Sequence, residues 1–178
     1  MEIHWYLAAQ DGTHPWNPKG TRVTDYAYMQ QLAGAIDHNG YAGALIATLP
    51  GGTDPWSLAT GLAHCTKQMK FIVAQYAGVI APLWLAQMAA SVDQISNGRL
   101  IINIIMGAGP TAPKLGISDH HDTRYELAEE YWDVFKRLMK GEVVTHHGKF
   151  VNCDNAQLLL EPVQKPWPEL MKIGRAHV

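Results

Sequence analysis

The chain has 178 residues, 47% of them hydrophobic and 17% charged, with a net charge of −2. That composition suits a globular domain with a sizeable core, and so small a charge offers no electrostatic basis for binding nucleic acid or an anionic membrane. No apolar run reaches the roughly 18 residues needed to cross a bilayer, and MEIHWYLAAQDG lacks a basic segment followed by a signal-type core. Cys65 and Cys153 form no CxxC, which points to a reduced, cytoplasmic protein with two structural thiols.

In chain order, residues 2–8 read as a short first strand, followed by a polar, Pro/Gly-rich loop to about residue 23. Thr24 or Asp25 can cap a helix that carries Met29, Leu32 and Ile36 on one face and ends at His38-Asn39-Gly40. Residues 42–48 make a second buried strand. Asp54-Pro55 sets a cap before a proline at the first helical position, and that helix runs to about His64. Residues 70–78 form the third strand. Pro82 opens a helix with Leu85, Met88, Val92 and Ile95 on one face, closed by Gly98. Residues 99–106, RLIINIIM, form the fourth strand. After a loop comes a helix near 123–140, with Glu126, Glu129 and Glu130 early and Lys136, Arg137 and Lys140 late, as the helix dipole favours. EVVTHHGKFV reads as a hairpin turning at His147-Gly148.

Continuous apolar strands alternating with helices imply a parallel sheet covered by helices. An open doubly wound sheet and a (β/α)8 barrel both fit. A full barrel needs about 250 residues, so this chain would hold only part of one. In either case a ligand site lies at the C-terminal ends of the strands. Three of the four ends carry polar groups, and Asn103 is an amide inside an apolar strand, aimed at a glycine-rich exit with Gly107 and Gly109. An unpaired buried amide costs about 1–3 kcal/mol, so its partner is either a nearby carbonyl or water, or the edge of a planar ligand. GAGP after the fourth strand is not a dinucleotide fingerprint. His120-His121 and His146-His147 are adjacent pairs whose side chains diverge. With no HExxH or CxxC, no metal site is expected and these histidines read as solvated. Among the tryptophans, Trp5 is the one placed to face a site.

Three blocks carry a resemblance: DYAYMQQLAGAIDHNGYAGALIAT, MKFIVAQYAGVIAPLWLAQMAASVDQISNGRLIINIIMG and DHHDTRYELAEEYWDVFKRLMKGEVVTHHGKF. Together, from about residue 3 to about 170, they resemble the bacterial luciferase-like flavin-dependent oxidoreductases, and most of all the alkanesulfonate monooxygenases. The resemblance implies an α/β fold, the N-terminal part of a (β/α)8 TIM barrel, over residues 1–170, with the family's fifth strand beginning near PELM. It implies a two-component monooxygenase that uses reduced FMN, supplied by a partner flavin reductase, and oxygen to convert an alkanesulfonate to aldehyde and sulfite. It places Thr48, Asn103, Arg124 and Tyr125 around the flavin, and implies a homo-oligomer when full length. Two positions depart from that branch: Gln10 stands where it has a histidine, and Gly52 where it has a cysteine. Other readings therefore stay open: a sulfone or amine monooxygenase, deazaflavin-dependent hydride transfer, or a non-catalytic flavin-binding fragment.

Residues 171–178, ending KIGRAHV, have no counterpart in the family pattern and match one reading frame of a common sequencing adaptor, so they read as a non-native tail. A natural short variant is the alternative. As residues 1–178 alone, the chain is expected to be inactive. The Ile and Val residues of its third and fourth strands are then expected to lie exposed on an open barrel interior.

Overall fold

A computed structural model describes residues 1–7, 25–49, 51–106, 111–118 and 120–172. Four strands alternate with helices: β1 (His4–Leu7), α1 (Tyr26–His38), β2 (Gly43–Ile46), α2 (Pro55–Ala63), β3 (Lys70–Tyr76), α3 (Pro82–Ser96) and β4 (Leu100–Ile105). A one-turn helix α4 (Thr111–Lys114), the long helix α5 (His121–Met139), the hairpin strands β5 (Val144–His147) and β6 (Asn152–Ala156), and β7 (Glu169–Met171) complete the order. The sheet order is β1-β2-β3-β4-β7, all parallel, with β5-β6 as a separate antiparallel pair.

The helix ends follow the local chemistry of the sequence. Asp25 accepts from Ala27 N at 2.9 Å to start α1, and Asp54 accepts from Ser57 N at 2.7 Å to start α2. At the end of α3, Asn97 and Gly98 both take positive φ, and Gly98 N donates to Asp93 O at 2.8 Å. The structure moves one boundary: α5 begins at His121, two residues before the position the periodicity suggests, and α4 occupies part of the preceding loop. His120 makes no side-chain capping bond there, so no capping signal marks that start in the sequence.

One face of the sheet packs on the helices. Phe71 and Val73 of β3, and Leu100 and Ile102 of β4, join Met29, Leu62, Leu85, Phe135 and Leu138 in the main core. The pleat sends alternate residues to the other face. There the rows Leu45–Ile72–Ile101 and Ala74–Asn103–Met171 lie side by side across the strands. The expected exposure of that face is not found: Ile72 and Ile101 are each 2% exposed, and Val73 turns to the helices. Each isoleucine is flanked on both sides by neighbours in its row. Exposure falls instead on β1, which pairs on one side only, at Trp5 and Tyr6. Trp5 lies on the helix side, edge-on to Tyr41 with ring centroids 5.3 Å apart, in a groove shared with Leu32, Ala35 and Ile36 of α1. It does not face the strand ends.

Two carboxylates tie distant segments together. Asp37 at the end of α1 accepts from the backbone N–H groups of Lys67, Gln68 and Met69 at 2.8, 2.8 and 2.6 Å. Glu130 of α5 accepts from Phe150 N and Val151 N and pairs with His146 Nε2 at 3.1 Å, docking the hairpin. His146 is thus half-buried and paired, not solvated as expected, whereas His147 stays exposed as expected, in a surface pair with Asp154 at 3.1 Å. Burial pushes both carboxyls up, but the hydrogen bonds, with Arg99 near Asp37 and His146 near Glu130, outweigh it and hold both below their ordinary values of 3.8 and 4.5. A lowered folded-state value means stability that is present above the ordinary value and lost as pH falls through the folded one. Acid unfolding followed by circular dichroism from about pH 6 to about pH 2 should therefore be less steep in an Asp37→Asn, Glu130→Gln double variant. An unchanged acid limb would show that neither carboxylate carries this dependence.

Candidate functional site at the strand ends

The C-terminal ends of β3 and β4 hold two side-chain amides with opposite fates. Gln75 Oε1 accepts from Trp56 Nε1 at 2.8 Å, and Gln75 Nε2 donates to Tyr76 O at 2.8 Å. Its hydrogen-bonding groups are engaged within the fold. Asn103 sits one row away on the opposite face of the sheet. It is 6% exposed, and its Oδ1 has no hydrogen-bond partner among the described residues. A buried acceptor left without a donor costs about 1–3 kcal/mol, so a native site that keeps one invites a ligand to supply the donor.

The neighbours of Asn103 on the same face are apolar. Its row neighbours are Ala74 and Met171, and Ile101 and Ile105 precede and follow it along β4. Thr48, just past β2, donates its hydroxyl to Ala74 O. Thr48 and Asn103 therefore flank Ala74. Because the Thr48 hydrogen is already engaged, toward a ligand this hydroxyl can only accept.

Arg124 and Tyr125 come from the first turn of α5. Arg124 is 8% exposed and lines a small crevice with Tyr76, Ala77, Ile105 and Met106, at the ends of β3 and β4. Tyr125 is 42% exposed, stacks on His121 at 4.7 Å between centroids, and lies 5.5 Å from Lys172 Nζ just beyond β7. The crevice thus brings Arg124 to the strand end that carries Asn103, whereas Tyr125 stands further out, toward β7. Gly107 and Gly109 lie outside the described residues, as do Gln10 and residues 173–178 of the expected tail.

Gly52 is described, and its position limits the loop. Its N–H donates to Leu49 O at 2.9 Å, and a Cβ there would lie 3.2 Å from Leu49 O and 3.3 Å from Leu49 Cβ. A cysteine at this position would require the turn to shift.

Sequence reasoning overlooked Tyr76. Its ring belongs to a second small core with Ala112 and Ile117, and burial holds its hydroxyl above the ordinary value of 10.0, so it remains a hydrogen-bond donor. Only the packing of α4 against β3 places it there, and nothing in the local pattern of KFIVAQY marks it. Among the described residues no group of three or more His, Cys, Asp or Glu could hold a metal ion, and no helix is long and apolar enough to cross a membrane.

Three solved structures share this fold at low identity. A riboflavin lyase, RcaE, crystallised with modified FMN and riboflavin, matches with a TM-score of 0.84 at 17% identity, over 99% of this chain and 51% of its own. The long-chain alkane monooxygenase LadA matches with a TM-score of 0.83 at 22% identity, over 99% of this chain and 52% of its own. The oxygenating constituent of 3,6-diketocamphane monooxygenase from Pseudomonas putida, in complex with FMN, matches with a TM-score of 0.78 at 20% identity, over 97% of this chain and 51% of its own. The chain spans about half the length of each, consistent with part of a TIM barrel. The family model for luciferase-like monooxygenases matches residues 1–173. Over nearly its whole length, then, the chain belongs to the luciferase-like monooxygenase family.

Proposed function

We propose that the strand-end site takes the isoalloxazine ring of FMN, and that in a complete barrel it supports an FMN-dependent monooxygenase of the two-component type. The observation that carries this is the buried, donor-seeking oxygen of Asn103, set among small and apolar neighbours at the end of a parallel sheet. A flat heteroaromatic ring with N–H groups on its edge fits such a surface. Asn103 would hold the ring edge. Thr48 would accept a hydrogen bond beside it, and Arg124 would bring positive charge to the same end of the sheet. Tyr125, on the outer side of the α5 start, would border the ring or its substrate. When bound, reduced FMN supplies the electrons that activate oxygen. The protein's own task is to keep the ring oriented and the reacting face dry. Reduced FMN delivered by a flavin reductase, and a homo-oligomeric assembly, belong to the same proposal. Two of the similar structures were solved with FMN or a modified FMN, which supports the choice of cofactor.

The proposed substrate is an alkanesulfonate, cleaved to aldehyde and sulfite. One observation favours a second reading, a sulfone or amine monooxygenase: the tight turn at Gly52 would have to give by a few tenths of an ångström to take the cysteine of the sulfonate branch. The test uses a protein carrying this sequence in a complete barrel, with a flavin reductase, NADPH, FMN and oxygen. Sulfite release from an alkanesulfonate panel is the expected result. Oxygenation of a sulfone or an amine with no sulfite from any sulfonate moves the protein to the second reading. Turnover only with a deazaflavin, seen by its distinct absorbance, removes the monooxygenase assignment.

A further inference from the structure

The methionines fall into distinct environments. Met29, Met69 and Met139 are buried in the core, and Met1 is exposed. Met88 is half-buried in the groove between α2 and α3 on the outer surface. Met106 and Met171 are half-buried at the strand ends, Met171 beside Asn103 in the sheet. Met106 lies past Asn103 in β4's direction, within about 10 Å of it along the chain. A thioether sulfur is a soft nucleophile that peroxide converts to a sulfoxide. Within the flavin reading, on which this inference rests, the strand ends are also where oxygen meets reduced flavin.

Met106 differs from the other methionines in what it lines. It shares with Tyr76, Ile105, Arg124 and Leu127 a crevice of about 10 Å³. That is space for about one water-sized group and too little for a ligand. Two of the lining side chains can donate hydrogen bonds. The Arg124 guanidinium has donors only, and the Tyr76 hydroxyl keeps its proton because burial raises it above its ordinary value of 10.0. An oxygen atom added to Met106 would find both space and donors there. We propose that Met106 is a self-oxidation site, modified by hydrogen peroxide made at the strand ends when reduced flavin meets oxygen without substrate. Reduced flavin passes two electrons and two protons to oxygen, and hydrogen peroxide forms. A lone pair on the Met106 sulfur attacks one peroxide oxygen, and an S–O bond forms as the O–O bond breaks. The second oxygen leaves as hydroxide, takes the proton that the first still carries, and becomes water. The sulfur is oxidised by two electrons and the peroxide is reduced by two. The crevice then holds the sulfoxide oxygen against Tyr76 and Arg124.

The experiment first measures retention of FMN by the whole protein, by ultrafiltration. The protein is then mixed repeatedly with photoreduced FMN and oxygenated buffer containing catalase, which clears peroxide from the bulk solution. Peptide mass spectrometry maps the oxidised methionines. Met106 is expected to oxidise about tenfold faster than Met88, because its peroxide forms beside it. In added hydrogen peroxide, without flavin or catalase, exposure decides, and these two half-buried residues should differ by less than about threefold. Protein oxidised at Met106 should keep its urea midpoint, whereas a buried sulfoxide without donors would lower it. Four results overturn the proposal while leaving the flavin site standing. These are equal rates at Met88 and Met106 with reduced FMN, the same advantage of Met106 in added peroxide, faster oxidation at Met171 than at Met106, and a lowered midpoint. Failure of the protein to retain FMN removes the flavin reading and this proposal with it.

Discussion

Asp93→Ala is expected to destabilise the fold by about 3–6 kcal/mol, two hydrogen bonds to a charged group at about 1.5–3 kcal/mol each. Asp93 lies in α3 and is 0% exposed. Its two carboxylate oxygens accept from Gln164 N at 2.8 Å and from Gln164 Nε2 at 2.6 Å, and the same side-chain amide donates to Leu100 O at 2.8 Å. One carboxylate thus fastens the segment that leads into β7 onto both α3 and β4. With alanine in its place, the backbone N–H of Gln164 and one amide hydrogen lose their acceptor, and a small cavity opens beside them. Urea unfolding should show a lower midpoint at an unchanged slope. Asp93→Asn, which retains one acceptor oxygen, should fall between the two. A loss below about 1 kcal/mol in Asp93→Ala would mean that water replaces the clamp without cost.

Arg99→Met is expected to cost about 3 kcal/mol, for a different reason. The Arg99 guanidinium donates to Ala63 O at 3.0 Å, Met69 O at 3.1 Å and Thr66 Oγ1 at 2.9 Å, and Nε donates to Ser96 O at 2.6 Å. It thereby closes the C-terminal ends of α2 and α3, where helix carbonyls lack partners. It also stands near Asp37, whose carboxylate organises the backbone of residues 67–69. Methionine preserves the apolar stem over the Phe71 ring, 5.1 Å from the guanidinium carbon, and removes only the fork. Each charge-assisted bond is worth about 1.5–3 kcal/mol, but partial exposure of Arg99 lets water recover some of them, so the sum is not additive. Arg99→Lys should recover little, because an ammonium cannot reach four acceptors set in a fork. Thermal unfolding of the three forms provides the comparison, and equal stability of Arg99→Lys and the parent would refute the fork argument.

These two side chains explain much of the SVDQISNGR segment that carries the family resemblance. Asp93, Ser96, Gly98 and Arg99 are occupied with the helix end and the N-terminal side of β3 and β4, away from the strand ends where Asn103 lies. The segment marks the family, yet its described contacts are structural. The first chemistry-bearing residue after it is Asn103 itself.

Much of the framework was legible locally. Asp25 and Asp54 act as caps, Asn97-Gly98 ends α3, and the runs of apolar residues became parallel strands, buried throughout β3 but for Lys70 and over most of β4. The strand that the resemblance implies near PELM is present as β7, parallel beside β4. The candidate site was legible in part, since an amide inside LIINII must be buried. Its condition was not. Gln75 and Asn103 are both amides near strand ends, and their sequences do not distinguish them.

Sequence alone therefore determined the elements, their caps and the buried place of Asn103, because capping and alternation are contacts over a few residues. The tertiary structure decided which buried polar groups are already satisfied. Trp56, 19 residues from Gln75 along the chain, swings in from α2 to occupy it; Gln164, 71 residues from Asp93, does the same for that carboxylate. No partner among the described residues reaches Asn103 Oδ1. Hydrogen bonds of such sequence separation exist only once the helices have packed on the sheet, and with them the difference between a polar group that holds the fold and one left to hold a ligand.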